Sequence, residues 1–213
     1  MTKLINLTGL QDYGKIWSLQ KELGLKVRES GRSEGFLILC EHAPVYTAGR
    51  RMRGWTGSEE AKALRGLGAQ TIEASRGGLL TFHGPGQLVA YPVMNVERMS
   101  LRTYVHRIQN VLGRCLEELG LKGEKIGEAG WAVDGRKLGF VGIGHELGIV
   151  SHGTSLNLQV DLGWFAQIVP CGHIGLKITN LNDELKNKLS MNHLKSMYIR
   201  LFEEEFELKT FQI

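Results

Sequence analysis

Cysteine, proline and long apolar runs are all scarce in this sequence. Only 3 cysteines and 4 prolines occur among 213 residues. An odd number of cysteines in a chain of this length argues against a disulfide framework and for a reducing, cytoplasmic setting. No apolar run approaches the ~18 residues that a membrane-spanning helix needs. Residues 1–17 mix apolar and polar side chains, unlike a secretory or transit segment. We therefore expect a cytoplasmic protein with no membrane partner.

An excess of one charge is also missing. The 26 Lys and Arg residues against 22 Asp and Glu residues give a net charge of +4, far from the dense basic stripe that nucleic-acid binding needs. A nucleic-acid-binding module is thus a distant alternative, and no nucleic-acid partner is expected. The one basic run, Arg50, Arg51 and Arg53, is either a solvated loop or a docking site for an acidic carrier protein.

Glycine, by contrast, is abundant. The chain has 28 glycines, which is about twice the usual share of ~7%. Eighteen of them lie between residues 76 and 175, and none lies between 182 and 213. The excess therefore marks particular backbone shapes and not a flexible linker. With 42% apolar residues, the chain can bury one core, and residues 1–213 are predicted to form one domain.

Hydrophobic periodicity predicts both helices and strands. Helices are predicted over residues 12–23, 59–64, 101–119 and 185–201. Strands are predicted over residues 36–40, 70–74, 87–96, 138–143, 147–150, 154–160 and 207–211. An alternating pattern runs from residue 129 to 160, and Asp134-Gly135 within it is a hairpin signal. The predicted fold class is α+β, a single domain in which helices pack on a mixed or antiparallel sheet.

The three cysteines fall into two kinds. Cys40 lies within a predicted buried strand and Cys115 on the apolar face of a predicted helix, so both are expected to be inert core thiols. Cys171 lies in a loop between Pro170 and Gly172, where a thiol is more accessible. Cys171 is therefore the candidate nucleophile.

A nucleophilic thiol needs a nearby cation or base, because a free thiol is only a few per cent thiolate at neutral pH. The candidates are His83, His152, His173 and Lys137. Lys137 stands out because its strand is otherwise apolar and rich in glycine. The alternative is that its ammonium group simply faces solvent. A zinc site built from Cys171, His173 and His152 lacks the paired spacing of such sites, and no metal is expected.

Residues 76–87 contain four glycines and one proline together with Arg76, His83 and Gln87. Such a segment can bring bare backbone N–H groups against a ligand, with side chains placed at intervals. The alternative is two strands joined by an ordinary tight turn. The spacing matches neither a Walker A loop nor a dinucleotide-binding fingerprint.

Five segments in order along the chain carry a resemblance to a known family. They are residues 39–50 (LCEHAPVYTAGR), 76–87 followed by Tyr91-Pro92, 135–139 (GRKLG), 151–157 (SHGTSLN) and 170–172 (PCG). Together they resemble the lipoyl(octanoyl) transferases, which move an octanoyl group from acyl carrier protein to a lysine of lipoyl domains. The match covers roughly residues 36–181. It implies the α+β fold of the biotin and lipoate protein ligases, which is similar to class II aminoacyl-tRNA synthetases.

The resemblance also implies roles for individual residues. Cys171 would be the nucleophile that forms an acyl-thioester, and Lys137 would stabilise its thiolate as an ammonium or deprotonate it as a neutral amine. The acyl pocket would be lined by Arg76, Gly77, Gly78, Leu79, Leu80, Thr81, Phe82, His83, Phe140, Val141, Gly142, Gly153, Thr154 and Ser155. The sequence departs from the family pattern at Thr154 and Ser155, where an apolar residue and then alanine are more usual.

The resemblance implies octanoyl-acyl carrier protein as donor. It implies lipoyl domains of 2-oxoacid dehydrogenase complexes and the glycine cleavage H protein as acceptors, with no cofactor. Two alternatives share the fold: an ATP-dependent lipoate ligase, which needs no nucleophilic thiol, and an amidotransferase that moves octanoyl groups between lipoyl-bearing proteins. Backbone N–H groups near Cys171 or His83 are candidate donors to the tetrahedral oxyanion, but the sequence does not identify them.

Overall fold

The computed structural model describes residues 1–30, 34–127 and 130–213. The strands are β1 (Thr2–Gln11), β2 (Gly35–His42), β3 (Val45–Ala48), β4 (Gln70–Glu73), β5 (Leu80–His83), β6 (Gln87–Asn95), β7 (Gly123–Lys125), β8 (Gly130–Val133), β9 (Arg136–Glu146), β10 (Ile149–Asn157) and β11 (Thr210–Gln212). The helices are α1 (Tyr13–Glu29), α2 (Glu59–Gly66), α3 (Leu101–Glu118), α4 (Leu181–Glu184) and α5 (Met191–Phe206). Short 3₁₀ turns span Arg50–Met52, Trp55–Gly57, Leu162–Gln167 and Pro170–Gly172.

The strands of these described residues form two sheets. The larger has eight strands in the order β11-β1-β2-β6-β10-β9-β8-β7, and the smaller has three in the order β4-β3-β5. In the larger sheet β1 pairs in parallel with β2 and β11, and the other pairs are antiparallel. The prediction of an α+β fold with a mixed sheet and packed helices is therefore confirmed.

Helices cover both faces of the larger sheet. Helices α3 and α5 pack on one face, around buried residues such as Ile108, Leu112 and Tyr198. On the other face lies α1, which contributes Tyr13 and Ile16 to a second core. The small sheet and the 3₁₀ turn at Leu162–Gln167 form a third core beside it. The site described below lies in the space between α1, the small sheet and the larger sheet.

The predicted helix over 101–119 is confirmed. The Ser100 hydroxyl accepts a hydrogen bond from the Thr103 N–H, which caps the first turn. Its buried residues recur at helical spacing, so the amphipathic pattern alone placed this element. Cys115 on this helix and Cys40 on β2 are both fully buried, and burial raises the pKa of each thiol to about 12. Their expected place in the core is thus confirmed.

Four predicted boundaries need correction. Strand β1 was not predicted, because four of its ten residues are exposed and it lacks a clear apolar face. Residues 185–190 are not helical, since α5 begins only after Ser190, whose hydroxyl accepts from His193 N–H. The strands predicted over 147–150 and 154–160 are a single strand that ends at Asn157. The final strand begins at Thr210, because α5 runs to Phe206. Residue 129, where the predicted alternation starts, lies outside the described residues.

Across the described part of the chain, every helix is too short or too polar to traverse a lipid bilayer.

Gly86 allows β6 to begin against the end of β10, and we expect that it cannot be replaced. Its φ is +79°, and a Cβ there would lie 2.1 Å from the carbonyl oxygen of Gln159. Gly86→Ala is therefore expected to lower the free energy of unfolding by about 3 kcal/mol or more, because a backbone oxygen must move and the left-handed conformation disfavours alanine. Gly66→Ala is the control, since a Cβ there meets no atom within 4 Å. Equal urea midpoints for Gly86→Ala and wild type would contradict this.

Candidate functional site

A cavity of about 510 Å³ lies between the larger sheet, β5 and the start of α1. Strands β6, β9 and β10 provide one wall, and the segment before and within β5 provides the other. Cys171 and Lys137 both line it. The cavity thus brings together segments that are more than 100 residues apart in the chain.

Cys171 and Lys137 form a close pair. The Lys137 ammonium Nζ donates to Cys171 Sγ over 3.5 Å, and Nζ also lies 4.8 Å from the centre of the Phe140 ring. The Lys137 side chain is buried, being 5% exposed, whereas Cys171 is half-buried. The amine of a buried lysine thus lies within reach of a partly accessible thiol, which is the pairing of a cysteine with a potential proton acceptor or donor that nucleophilic catalysis uses.

The backbone on both sides fixes this pair. Lys137 N–H donates to Lys177 O over 2.8 Å, and Thr179 N–H donates to Lys137 O over 2.9 Å. A Cβ on Gly130 would lie 2.5 Å from Lys137 Cε, so glycine leaves the space that the lysine side chain occupies. Cys171 has a φ of 56°, a left-handed conformation that is uncommon for residues other than glycine. The sharp turn after Pro170 directs its sulfur toward Lys137.

The structure places twelve of the fourteen predicted pocket residues around the cavity. They are Arg76, Gly77, Gly78, Leu79, Thr81, His83, Phe140, Val141, Gly142, Gly153, Thr154 and Ser155. Leu80 and Phe82 are not among its lining residues, and the predicted unbroken lining over 76–83 needs correction at these two positions. Side chains alternate along β5, so Leu80 and Phe82 point into the third core, where Phe82 stacks on Trp164.

Several lining residues were not predicted. Tyr13 opens α1, Val89 and Tyr91 occupy one face of β6, and Arg51 lies near the opening. The sequence signal for Tyr91 was present, because a tyrosine in the middle of an apolar strand needs a partner for its hydroxyl. Here that partner is His42 Nε2, at 2.8 Å. Tyr13 carried no such signal, since a helix start is an ordinary place for it.

Arg76 brings a buried positive charge to the cavity. Its guanidinium donates to Thr47 Oγ1 over 2.7 Å, to Thr47 O and to Gly77 O over 2.9 Å. Burial lowers the pKa of Arg76, and within the described residues it forms no ion pair with a carboxylate. A Cβ on Gly142 would lie 3.0 Å from Arg76 Cδ, so this glycine leaves room for the arginine stem. The arginine ties the segment before β5 to β3.

Three buried histidines surround the inner part of the cavity. Burial lowers the pKa of His83 and of His152 to about 3 and that of His42 to about 4. All three are therefore neutral at pH 7. His83 and His152, both considered as bases from the sequence, would accept a proton poorly at that pH. Lys137, in contrast, contacts Cys171 Sγ directly.

Hydrogen bonds fix the orientation of His152 and His83. Ser75 Oγ lies 2.9 Å from His152 Nε2, and Tyr13 Oη lies 3.4 Å from its Nδ1. The zinc alternative with Cys171 and His173 is not assembled, because His152 is held by these hydroxyls. No group of three possible metal ligands occurs in the ranges that the structure describes. His83 Nδ1 lies 2.6 Å from Gln87 Oε1, and Gln87 Nε2 donates to Asn157. This chain places the His83 proton on Nδ1 and leaves Nε2 as an acceptor.

Comparison with known proteins identifies the family that shares this arrangement. Residues 12–203 match the lipoyl protein ligase A/B catalytic domain, a span that includes Lys137, Cys171 and most of the cavity. The chain belongs to that family. Its resemblance to this family, inferred above from five short segments, is confirmed.

Relatives of known name are similar over most of their length. The chain is 45% identical to a mitochondrial octanoyl-[acyl-carrier-protein]:protein N-octanoyltransferase of Xenopus tropicalis, over 83% of this chain and 74% of that protein. It is 38% identical to an octanoyltransferase of Rubrobacter xylanophilus, over 93% of this chain and 90% of that protein. These relatives are acyltransferases, and the chain is an enzyme of that class.

Solved structures share the fold. A lipoate-protein ligase A bound with ATP superimposes with a TM-score of 0.81 at 14% identity, covering 100% of this chain and 88% of the ligase. A bipartite lipoate protein ligase from Thermoplasma acidophilum gives a TM-score of 0.77 at 16% identity, with the same coverage. The expected lipoate protein ligase fold is therefore confirmed.

Proposed function

We propose that this acyltransferase carries an octanoyl group from acyl carrier protein to a lysine of a lipoyl domain, through a thioester on Cys171. The observation that carries the proposal is the pair of Lys137 Nζ and Cys171 Sγ, 3.5 Å apart at a cavity of about 510 Å³. The relatives named octanoyltransferases support the choice of acyl group.

The first half of the reaction loads the enzyme. Cys171 Sγ, as the thiolate, adds to the carbonyl carbon of the donor thioester, and the carbonyl electron pair moves to oxygen. The tetrahedral intermediate then collapses with expulsion of the donor thiolate, which takes a proton from the Lys137 ammonium. One thioester bond forms as another breaks, so the step is nearly isoenergetic and needs no ATP.

The second half transfers the acyl group to the acceptor. The amine of the incoming lysine adds to the Cys171 thioester carbonyl, and the Cys171 thiolate leaves as the amide forms. The neutral Lys137 amine takes the proton that the attacking amine must lose, which regenerates the starting ammonium and thiolate. Lys137 therefore acts as a general acid in the first half-reaction and as a general base in the second.

The cavity wall suits a saturated acyl chain. Leu79, Val89, Phe140 and Val141 give it an apolar lining. Gly142 and Gly153 also line the wall, but the space that a Cβ would take there is filled by the Arg76 stem and by the Ala90 carbonyl oxygen, so these glycines serve the packing of the wall itself. Tyr13, His83 and Tyr91 provide neutral polar groups. We propose that the depth of this cavity selects an acyl chain of medium length.

We propose octanoyl-acyl carrier protein as donor. We propose the lipoyl domains of 2-oxoacid dehydrogenase complexes and the glycine cleavage H protein as acceptors. Arg50, which begins the 3₁₀ turn Arg50–Met52, and Arg53, which follows it, are exposed near the cavity-lining Arg51, where they favour an acidic carrier. Ile174, three residues after Cys171, is 93% exposed and offers an apolar contact beside the cysteine turn. We place this reaction in the cytoplasm, where the Cys171 thiol stays reduced.

One measurement tests the proposed function. The protein is incubated with octanoyl-acyl carrier protein without ATP, and its intact mass is then measured. The expected result is one added octanoyl group that passes to a lipoyl domain on mixing. Transfer that requires ATP and free octanoate would support the ligase alternative. Loading only from an octanoylated lipoyl protein would support the amidotransferase alternative.

Removal of the Lys137 amine should slow both halves of the reaction. We expect Lys137→Ala to reduce the single-turnover rate of Cys171 loading by about 100-fold near pH 7, because the thiolate loses its cation and the leaving group loses its proton donor. Lys177→Ala is the matched control, since this neighbouring lysine contacts Lys137 only through its carbonyl oxygen. A near-normal rate for Lys137→Ala across neutral pH would disprove the proposed pair.

A further inference from the structure

Two buried hydroxyl groups in the cavity have no hydrogen-bond partner. Among the described residues, buried side-chain atoms without a partner are Gln20 Nε2, Thr81 Oγ1, Tyr104 Oη and Ser155 Oγ. Only Thr81 and Ser155 of these four residues line the cavity, and their side chains are 7% and 3% exposed. A buried hydroxyl without a hydrogen-bond partner destabilises the folded protein. A ligand that accepts a hydrogen bond from each hydroxyl therefore explains why two unpartnered hydroxyls line one cavity.

Both hydroxyls lie on strands that carry neighbours of the reacting pair. Leu79, two residues before Thr81, packs so closely on Gly172 that a Cβ on Gly172 would lie 2.5 Å from Leu79 Cδ1. Ser155 is the register partner of Phe140 in the β9–β10 pair, and the Phe140 ring lies 4.8 Å from Lys137 Nζ. Thr81 and Ser155 thus line the same cavity as Cys171 and Lys137, from β5 and from β10.

The turn at Pro170–Gly172 has fewer free backbone N–H groups than its glycine content indicated. Gly172 N–H already donates to Val169 O over 3.2 Å, and His173 N–H donates to Pro170 O over 3.1 Å. These bonds shape the turn and leave both N–H groups engaged. A saturated acyl thioester has a single strong hydrogen-bond acceptor, its carbonyl oxygen, which becomes the oxyanion when sulfur adds.

We propose that the hydroxyls of Thr81 and Ser155 donate hydrogen bonds to the thioester carbonyl oxygen and stabilise the tetrahedral oxyanion in both half-reactions. The inference rests on the proposed function. When Cys171 Sγ or the acceptor amine adds to the carbonyl carbon, the π electron pair moves to oxygen and strengthens both hydrogen bonds. No proton leaves either hydroxyl, and collapse of the intermediate restores the carbonyl. Two donors match the lone pairs of one oxygen.

The test compares two reactions of the same sulfur. Thr81→Val is expected to slow Cys171 loading by octanoyl-acyl carrier protein about 100-fold, as loss of an oxyanion donor does elsewhere. Ser155→Ala, which introduces the residue more usual in the family, is expected to slow it less, by about 10-fold, because Thr81 remains as a donor. Alkylation of Cys171 by iodoacetamide should stay within about twofold of wild type, because displacement at a saturated carbon forms no oxyanion. Thr81→Ser, which keeps the donor, should load at close to the wild-type rate.

Tyr104→Phe is the matched control. It removes an unpartnered buried hydroxyl that lies in the core between α3 and α5, away from the cavity, and it should leave loading unchanged. The inference is overturned if Thr81→Val and Ser155→Ala load normally, or if their loading and alkylation rates fall in the same proportion. Failure of the wild-type protein to form any octanoyl adduct would instead refute the proposed function, and the alkylation rates distinguish this case from a misfolded site.

Discussion

Cys171→Ala is expected to abolish the octanoyl adduct and to reduce acyl transfer by at least about 1000-fold. Alanine lacks the sulfur atom, which alone at this position can form the thioester. Lys137 Nζ then loses the sulfur that lies 3.5 Å away in the wild-type protein. The remaining cavity can still bind the acyl chain, so the loss should appear in kcat rather than in KM for the carrier protein. Intact-mass measurement and transfer to a lipoyl domain provide the two readouts.

The other two cysteines are the controls for this result. Cys40 and Cys115 are fully buried, and burial raises the pKa of each thiol to about 12, so neither is a competent nucleophile at pH 7. Cys40→Ala and Cys115→Ala should keep the adduct and most of the activity. An adduct that survives Cys171→Ala but disappears in Cys40→Ala would show that the nucleophile has been misassigned. Equal urea midpoints for wild type and Cys171→Ala would exclude unfolding as the cause of its inactivity.

Acidification from pH 8 to pH 5 is expected to remove most of the stability of the folded protein. Burial lowers the pKa of His83 and His152 to about 3 and that of His42 to about 4, whereas an unfolded histidine titrates near 6.5. Below pH 6.5 the unfolded chain therefore binds protons that the folded protein does not. Stability is complete above that pH and is lost as the pH falls toward the folded values.

The expected loss is large because three groups act together. Each histidine contributes about 2 kcal/mol between pH 8 and pH 5, so the three contribute about 6 kcal/mol, comparable with the ~5–15 kcal/mol by which domains are usually stable. The titratable groups around them include Tyr13, Tyr91, Cys40 and the Arg76 guanidinium, and the positive charge of Arg76 also disfavours protonation of His83 and His152. The free energy of unfolding from urea titrations at both pH values gives the measurement.

Variants separate the buried histidines from general acid effects. His42→Gln should reduce the difference in unfolding free energy between pH 8 and pH 5 by about 2 kcal/mol, because glutamine does not titrate. His193→Gln should leave that difference unchanged, since His193 is exposed on α5. If the wild-type protein unfolds at the same urea concentration at both pH values, the three histidines are not buried as described.

The sequence indicated the chemistry of the site more fully than its shape. Cys171 was distinguished from the other cysteines because Pro170 and Gly172 flank it, and Lys137 because a lysine interrupts an apolar strand. These are local signals, and local patterns report local chemistry. The residues around Cys171 and Lys137 did not predict that the two side chains meet, since 34 residues separate them. The resemblance to a family supplied that link.

The folded backbone also changed the face that one residue presents. His152 lies within β10 with a φ of 56°, so it does not follow the alternation of its neighbours. Thr154 points to Tyr198 of α5, whereas His152 contacts Tyr13 of α1 on the other face. Alternation in the sequence places both residues on one face.

The sequence by itself indicated the α+β class, the core helix α3, the two buried thiols and the candidate nucleophile, because periodicity and neighbouring residues fix burial and accessibility. The tertiary structure decided which face of each strand meets the cavity. On β5 it directs Thr81 and His83 inward and Leu80 and Phe82 away, although both pairs alternate equally well in the sequence. Alternation separates two faces of a strand, but only packing against β6, β9, β10 and α1 determines which of them surrounds the substrate.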